Sequence, residues 1–130
     1  MKFKALMLTL VLLLPGCLDS EGEEIRFNGR NLEGSDVYMF TLEDSKGPLW
    51  NLTEQEGKVV VLAFIFTRCD NTCPVTSQNL KVVYESLTED ELTKVSFVSV
   101  TVDWRHDSPS ELNNWSDRMG YDWPHLTGAR

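Results

Sequence analysis

The sequence predicts an α/β domain with a partly parallel sheet, built around one strand–helix–strand unit. Residues 59–66 are apolar on both faces and rich in β-branched and aromatic side chains, which is typical of a central strand covered on both sides. Residues 95–102 form a second apolar strand. The helix between them has apolar residues at a spacing of three and four, namely Leu80, Val83, Tyr84 and Leu87. This order predicts two parallel neighbouring strands joined by a right-handed crossover.

Two shorter elements are predicted before this unit. Residues 37–42 are apolar enough for a strand, and residues 49–52 are predicted to return beside it as a short partner strand. A cluster of turn-forming residues, 44–48, separates the two. Together they give a hairpin on the N-terminal side of the parallel pair.

The last predicted helix has clear start and stop signals. Ser108 suits the N-cap, Pro109 the first helical position and Glu111 a capping box. Gly120 is suited to end the helix. Its predicted buried face consists of Leu112, Trp115 and Met119. Two strands and one hairpin make a small sheet, so we expect the C-terminal part of the fold to be missing from this sequence.

Composition and charge limit the classes of function. The 130 residues are enough for one domain, and the 12 basic and 20 acidic residues give a formal charge of −8. There is no basic stripe in the sequence, so nucleic acid is not an expected partner. The acidity is interpreted as ordinary solubility.

The N-terminus predicts a lipoprotein. Lys2 and Lys4 precede the short apolar stretch 5–14, and Leu14-Pro15-Gly16-Cys17 resembles a lipobox. We therefore interpret residues 1–16 as a lipoprotein signal peptide, 17–27 as a flexible tether and 28–130 as the folded domain, with Cys17 as the lipidated residue. This predicts a lipid anchor in the cell membrane, on the extracytoplasmic face, where disulfides are permitted.

Cys69 and Cys73 follow the strand 59–66 directly and lie where the next helix begins. Unpaired backbone N–H groups and the helix dipole at such a position favour a thiolate. Arg68 is expected to strengthen this effect and Asp70 to oppose it. A separation of four residues brings both sulfurs to one side of a helical turn. The pair could close into a Cys69–Cys73 disulfide in the oxidised form, or hold one soft metal ion between two thiolates.

The chemistry of the two thiols leaves several uses open. Soft thiolate ligands outside the cytoplasm suit copper(I). Zinc fits less well, because a structural zinc site usually has four protein ligands. A purely structural disulfide is the remaining alternative, although short loops gain least from such a bridge.

Three motifs in order resemble the Sco/SenC family. The first is Phe66-Thr67-Arg68-Cys69-Asp70-Asn71-Thr72-Cys73-Pro74-Val75-Thr76, which is similar to the family signature around its cysteines. The second is Val102-Asp103-Trp104-Arg105-His106-Asp107-Ser108-Pro109, in which Trp104 and Ser108 replace a usual proline and threonine. The third is Leu126-Thr127-Gly128. The resemblance covers about residues 36–128.

The resemblance implies a thioredoxin-like fold and copper as the bound metal, with Cys69 and Cys73 as ligands. It also implies a role in supplying copper to, or reducing the cysteines of, the copper-site subunit of cytochrome c oxidase. In the family a histidine downstream of the third motif completes the copper site, and this position lies beyond the end of the present sequence. His106 and His125 do not occupy it, and both are interpreted as surface or loop residues.

A few other polar and sulfur-containing residues have two possible roles. Asp103 could lie near the cysteines, because it follows a strand at the sheet edge where functional groups gather. Alternatively, Asp103 and Asp107 organise the turn and cap the last helix. Met39 and Met119 could bind copper through sulfur, but core packing is the expected role of both.

Two functions of different classes follow. The leading hypothesis is a membrane-anchored copper chaperone that binds copper through Cys69 and Cys73. The alternative is an extracytoplasmic thiol–disulfide oxidoreductase in which Cys69 attacks a target disulfide and Cys73 resolves the mixed disulfide. A peroxidase and an inactive remnant are weaker alternatives.

Overall fold

The computed structural model describes residues 29–32 and 35–128. Its contacts divide the chain after Ser35, and the fold described below is the unit Asp36–Arg130. The predicted signal peptide, the tether, Cys17 and the predicted domain start at Asn28 all lie outside the described residues. Within the described part, every helix is too short or too polar to cross a bilayer.

The fold alternates strands and helices along the chain. The strands are β1 (Thr41–Asp44), β2 (Leu49–Asn51), β3 (Val59–Ile65), β4 (Val95–Thr101) and β5 (His125–Thr127). The helices are α1 (Thr72–Ser86), α2 (Glu89–Leu92) and α3 (Pro109–Met119), and a 3-10 turn covers Leu52–Gln55.

The five strands form one mixed sheet in the order β2-β1-β5-β4-β3. β3 and β4 are parallel over their full length, from Val59 opposite Val95 to Ile65 opposite Thr101. β5 continues the parallel part beside β4, whereas β1 runs antiparallel to both β5 and β2. The predicted α/β class, the parallel strand pair and the hairpin are confirmed.

The prediction that β3 is a central strand is wrong for the described residues. β4 lies between β3 and β5, so β3 is the edge strand of the described sheet. One face of β3 packs on the helices, but Leu62 and Phe64 on the other face are exposed. An apolar pattern on both faces indicates that a strand is suited to burial, but it does not specify which elements cover it.

The two faces of the sheet carry separate apolar clusters. Ile65 of β3 and Phe97 of β4 face α1 and α3, where they join Leu112 and Trp115. The opposite face holds a smaller cluster, formed by Trp50, Val98 and Leu126. An open groove of about 360 Å³ adjoins this second cluster, with Phe40, Leu52, Val60 and Leu62 in its walls. Helices α1 and α3 therefore lie on the better-covered face, and the cluster on that face is called the helix-face cluster below.

Helix α1 agrees with its predicted apolar face except at one residue. Leu80, Tyr84 and Leu87 pack against the helix-face cluster, and Pro74 lies in the first turn. Val83, however, is 48% exposed, so its predicted burial is wrong. A spacing of three and four covers a wide arc of a helix, and Val83 lies on the edge of that arc which faces solvent.

Helix α3 begins and ends as predicted. Ser108 Oγ accepts a hydrogen bond from the Glu111 N–H, and Gly120 ends the helix with φ 68°. The reciprocal half of a capping box is absent among the described bonds, because the Ser108 N–H donates to the His106 carbonyl instead. Leu112 and Trp115 are buried, whereas Met119 is 38% exposed.

The N-terminal part of the domain differs from the prediction. The strand predicted over residues 37–42 begins only at Thr41, after a segment without regular secondary structure. Met39 lies in that segment and is 58% exposed, so the expected core role is wrong for Met39 as it is for Met119. β1 pairs with β2, which was predicted, and with β5, a distant and short segment that local pattern does not reveal.

The prediction of a surface or loop position is also wrong for His125. This residue lies in β5 and is fully buried among aromatic rings, including those of Trp115, Tyr121 and Trp123. Its Nδ1–H donates to the Trp123 carbonyl at 2.7 Å, and its Nε2 has no hydrogen-bond partner within the described part of the chain. The pKa of His125 is lowered to about 4, first of all by burial of the ring.

Replacing Gly120 by alanine is expected to destabilise the domain by about 1–2 kcal/mol, because a left-handed backbone conformation is unfavourable for residues with a Cβ. The new Cβ would also lie 2.8 Å from Lys81 Nζ, which donates to the Gly120 carbonyl. Urea unfolding measures the change. The control is Gly47→Ala, where a Cβ meets nothing within 4 Å. Equal midpoints for the two variants would contradict this assignment.

We expect the stability of the domain to fall as the pH drops from about 6.5 towards 4, because unfolded histidine binds a proton in this range and buried His125 does not. The lost free energy of unfolding is on the order of 3 kcal/mol, from the shift in pKa. Urea unfolding at several pH values measures it, with His125→Gln as the control. The difference between the two proteins should shrink as the pH falls through this window, and parallel curves would contradict the prediction.

Candidate dithiol site

The two cysteines lie where β3 passes into α1. β3 ends at Ile65, and the Cys69 N–H donates to the Phe66 carbonyl at 3.1 Å in the turn that follows. Helix α1 begins at Thr72, so Cys73 is its second residue. Both cysteines are free thiols in the structure. The predicted position of the pair, between a strand and a helix N-terminus, is therefore the observed one.

A hydrogen bond joins the two residues directly. The Cys73 backbone N–H donates to Cys69 Sγ at 3.2 Å. Asn71, at the N-cap position of α1, makes no side-chain capping bond. The Cys69 sulfur thus accepts one of the backbone N–H groups that a helix N-terminus leaves unpaired, as a capping oxygen would.

The pKa values of the two thiols are shifted in opposite directions. The pKa of Cys69 is lowered, because the Cys73 side chain and then the Cys73 backbone N–H donate hydrogen bonds to its sulfur. The pKa of Cys73 is raised, first by burial and then by its interaction with Cys69. Cys69 is therefore the thiol that deprotonates first.

The two cysteines also differ in solvent exposure. Cys73 is only 7% exposed and belongs to the helix-face cluster, where it packs with residues such as Ile65 and Trp115. Cys69 is half-buried, and it contacts the same cluster from the outside. A reagent or ion in solution accordingly reaches the sulfur of Cys69 first.

Arg68 does not support the Cys69 thiolate as the sequence led us to expect. Its guanidinium is paired with Asp103 instead, with Nη2 at 2.6 Å from Oδ2. The same carboxylate accepts a hydrogen bond from His106 Nδ1 at 2.8 Å, and these two contacts lower the pKa of Asp103. The side chain of Asp103 thus lies near the cysteine loop, where it ties Arg68 to the end of β4.

Sequence reasoning missed the role of Asp107. This residue is fully buried, and its carboxylate accepts hydrogen bonds from the Thr67 N–H at 3.0 Å, from Thr67 Oγ1 at 2.6 Å and from Thr101 Oγ1 at 2.5 Å. The N-cap of α3 is Ser108, and neither Asp103 nor Asp107 caps the helix. The sequence does contain a signal for this role of Asp107. Thr67 and Thr101 lie at the ends of the two parallel strands, and Asp107 follows the second strand closely.

The remaining candidate residues lie apart from the dithiol. His106 is exposed beside Asp103, as predicted for a surface histidine, whereas His125 is enclosed in the core. Met39 and Met119 are partly exposed on other elements. Among residues 29–32 and 35–128, no group of three or more histidine, cysteine or carboxylate side chains is arranged to hold a metal ion. Of the candidate ligands, the structure brings Cys69 and Cys73 together.

A pair of adjacent thiols with unequal acidity can act in two ways. As two thiolates, they suit a soft ion such as copper(I), which accepts low coordination by sulfur. As one thiolate and one thiol, they suit attack on a disulfide followed by resolution. Both uses begin with the two sulfurs that the structure brings together here.

Comparisons with known proteins agree with this fold. The family model described as SCO1/SenC matches residues 31–130. The SCO1 protein homolog of Bacillus subtilis is 28% identical over 96 residues, which cover 72% of this chain and 49% of that protein. The apo Sco1 protein of Thermus thermophilus is 30% identical in sequence, with a TM-score of 0.70, over 83% of this chain and 62% of that one.

A further solved structure contains the metal. Yeast Sco1 with copper bound is 25% identical, with a TM-score of 0.62, over 71% of this chain and 51% of that one. The chain spans about half the length of the curated relatives it matches. The family match covers most of the chain, and the solved relatives have the thioredoxin-like fold expected of it. The chain belongs to the SCO1/SenC family.

Proposed function

We propose that this chain carries the dithiol of a copper chaperone, in which Cys69 and Cys73 bind copper(I). The observation that carries the proposal is the hydrogen bond from the Cys73 N–H to Cys69 Sγ, which brings a stabilised thiolate beside a second sulfur. Membership of the SCO1/SenC family and the copper-bound structure of yeast Sco1 support it.

Binding is expected to begin at Cys69. Its thiol loses its proton more readily, because its pKa is lowered and that of Cys73 is raised, and Cys69 is the more exposed residue of the two. Cys73 becomes a ligand by releasing its proton as copper(I) binds, since a bound cation lowers the pKa of a coordinating thiol. One copper(I) ion thus replaces the protons of two thiols.

The destination of the metal follows from the family resemblance. We propose that the copper is delivered to the copper-site subunit of cytochrome c oxidase, by exchange of sulfur ligands between the two proteins. We also propose that Cys17 carries the lipid that holds the chain at the extracytoplasmic face of the cell membrane. The lipobox-like sequence around Cys17 supports this location.

A thiol–disulfide oxidoreductase is the second candidate, and the unequal thiols favour it. The Cys69 thiolate would attack a disulfide of the partner and release one partner thiolate, which takes up a proton. The Cys73 thiol would then lose its proton and displace the second partner thiol, which leaves a Cys69–Cys73 disulfide. The partner gains the two electrons, and an external dithiol must reduce the chain before the next cycle.

Copper titration tests the first proposal. The fully reduced chain should bind about one equivalent of copper(I) in competition with a chromogenic chelator, and Cys69→Ser or Cys73→Ser should each lower the affinity at least about 100-fold, since a serine oxygen is a poor ligand for a soft ion. Cys17→Ser is the matched control, because it removes a cysteine and leaves the pair intact. Unchanged affinity in both pair variants would rule out this site.

Alkylation rates test the predicted difference between the thiols. Iodoacetamide at pH 7 should modify Cys69 roughly tenfold faster than Cys73, because reaction requires an exposed thiolate. Peptide mapping by mass spectrometry measures the two rates. The control is the chain in urea, where the rates should become similar. Equal rates in the folded chain would contradict the assignment of Cys69 as first ligand and as attacking thiol.

Turnover separates the two functions. An oxidoreductase should reduce a disulfide substrate catalytically in the presence of an external dithiol and without copper. A chaperone should retain copper(I) tightly and show no such turnover.

A further inference from the structure

We infer that Asp107 is a positioning residue of the dithiol site, and that its buried carboxylate holds the cysteine loop so that Cys69 Sγ stays within hydrogen-bond distance of the Cys73 N–H. The inference rests on the proposed function in so far as the placement of Cys69 governs copper binding or disulfide exchange. Asp107 touches neither sulfur in the described contacts, so it acts through Thr67.

The carboxylate joins the ends of the two parallel strands. Thr67 follows β3 and donates two hydrogen bonds to the Asp107 carboxylate, one from the backbone N–H and one from the hydroxyl group. Thr101, the last residue of β4, gives it a third. The backbone carbonyl of Asp107 accepts a fourth bond, from the hydroxyl group of Thr127 in β5. Asp107 is fully buried, so these bonds are shielded from exchange with water.

Thr67 is the fixed point from which the cysteine loop departs. It lies two residues before Cys69, and the residues between the strand and α1 are otherwise largely exposed, as Arg68, Asp70 and Asn71 show. The Arg68–Asp103 ion pair also touches this loop, but it lies at the surface, where such pairs contribute little. The buried bonds to Asp107 are therefore the firmest attachment of the loop in the described structure.

The hydrogen bond to the Cys69 sulfur depends on this attachment. The sulfur must remain about 3.2 Å from the Cys73 N–H, and such a bond weakens steeply when its distance or angle changes. Residues that orient a metal ligand without touching the metal commonly change metal affinity 10–100-fold when mutated. Asp107 has this relation to Cys69.

A carboxylate suits the position because it only accepts hydrogen bonds. The Thr67 N–H is a fixed donor, and two hydroxyl groups supply the other hydrogens. Asparagine could keep most of this network, since its oxygen can accept from the Thr67 N–H and its nitrogen can donate to Thr67 Oγ1. Alanine can keep none of it.

The test compares four variants by the rate at which iodoacetamide modifies Cys69 at pH 7 without copper, measured by peptide mapping. In Asp107→Ala this rate should fall roughly tenfold, with about a tenfold loss of copper(I) affinity measured separately. Asp107→Asn should stay close to the unmodified chain. If Asp107 acted only through its negative charge, both changes would instead raise the rate, and that result would overturn the inference.

Two threonine variants provide a matched comparison and a safeguard if Asp107→Ala does not fold. Thr67→Val and Thr101→Val each remove one hydroxyl bond to the same carboxylate, so both should lower stability. Only Thr67→Val should slow the alkylation of Cys69, because only Thr67 leads into the cysteine loop. Equal changes of rate in the two variants, or no change in either, would overturn the inference. A chain that binds no copper(I) would refute the proposed function, while the alkylation rates would still decide the role of Asp107.

Discussion

The convergence of three strand ends on one buried aspartate is the constraint on which the site depends. Thr67, Thr101 and Thr127 all donate to atoms of Asp107, and Asp107 immediately precedes the N-cap of α3. The loop with the cysteines, the parallel strands and the second long helix are thereby fixed to one another. A buried carboxylate with these donors is stable in the interior because its hydrogen bonds replace those it would make with water.

Local patterns were sufficient to predict much of the fold and the position of the cysteines. The βαβ unit was predictable because β3 and β4 are long, apolar and separated by a helix-forming segment, and α3 because Ser108, Pro109 and Gly120 act within a few residues of the helix ends. The site could be located at a helix N-terminus for the same reason. These features all depend on neighbours along the chain.

The features that were missed depend on residues far apart in sequence. Thr67 and Asp107 are 40 residues apart, and no periodicity relates them. The burial of His125 results from rings contributed by a helix, a loop and its own strand. The backbone N–H group at the helix start was expected to lower the pKa of Cys69, and it does. The added contribution expected of Arg68 was wrong, because the fold pairs that guanidinium with Asp103.

The unequal exposure of the two cysteines means that the dithiol is accessible from one side. Cys73 is enclosed by the core, and Cys69 forms the outward side of the pair. A copper ion bound between the two sulfurs would be accessible only from the Cys69 side, so it would enter and leave by the same route. A recipient protein would then need to present its own ligand on that side, and its surface shape there would select which proteins can receive the ion.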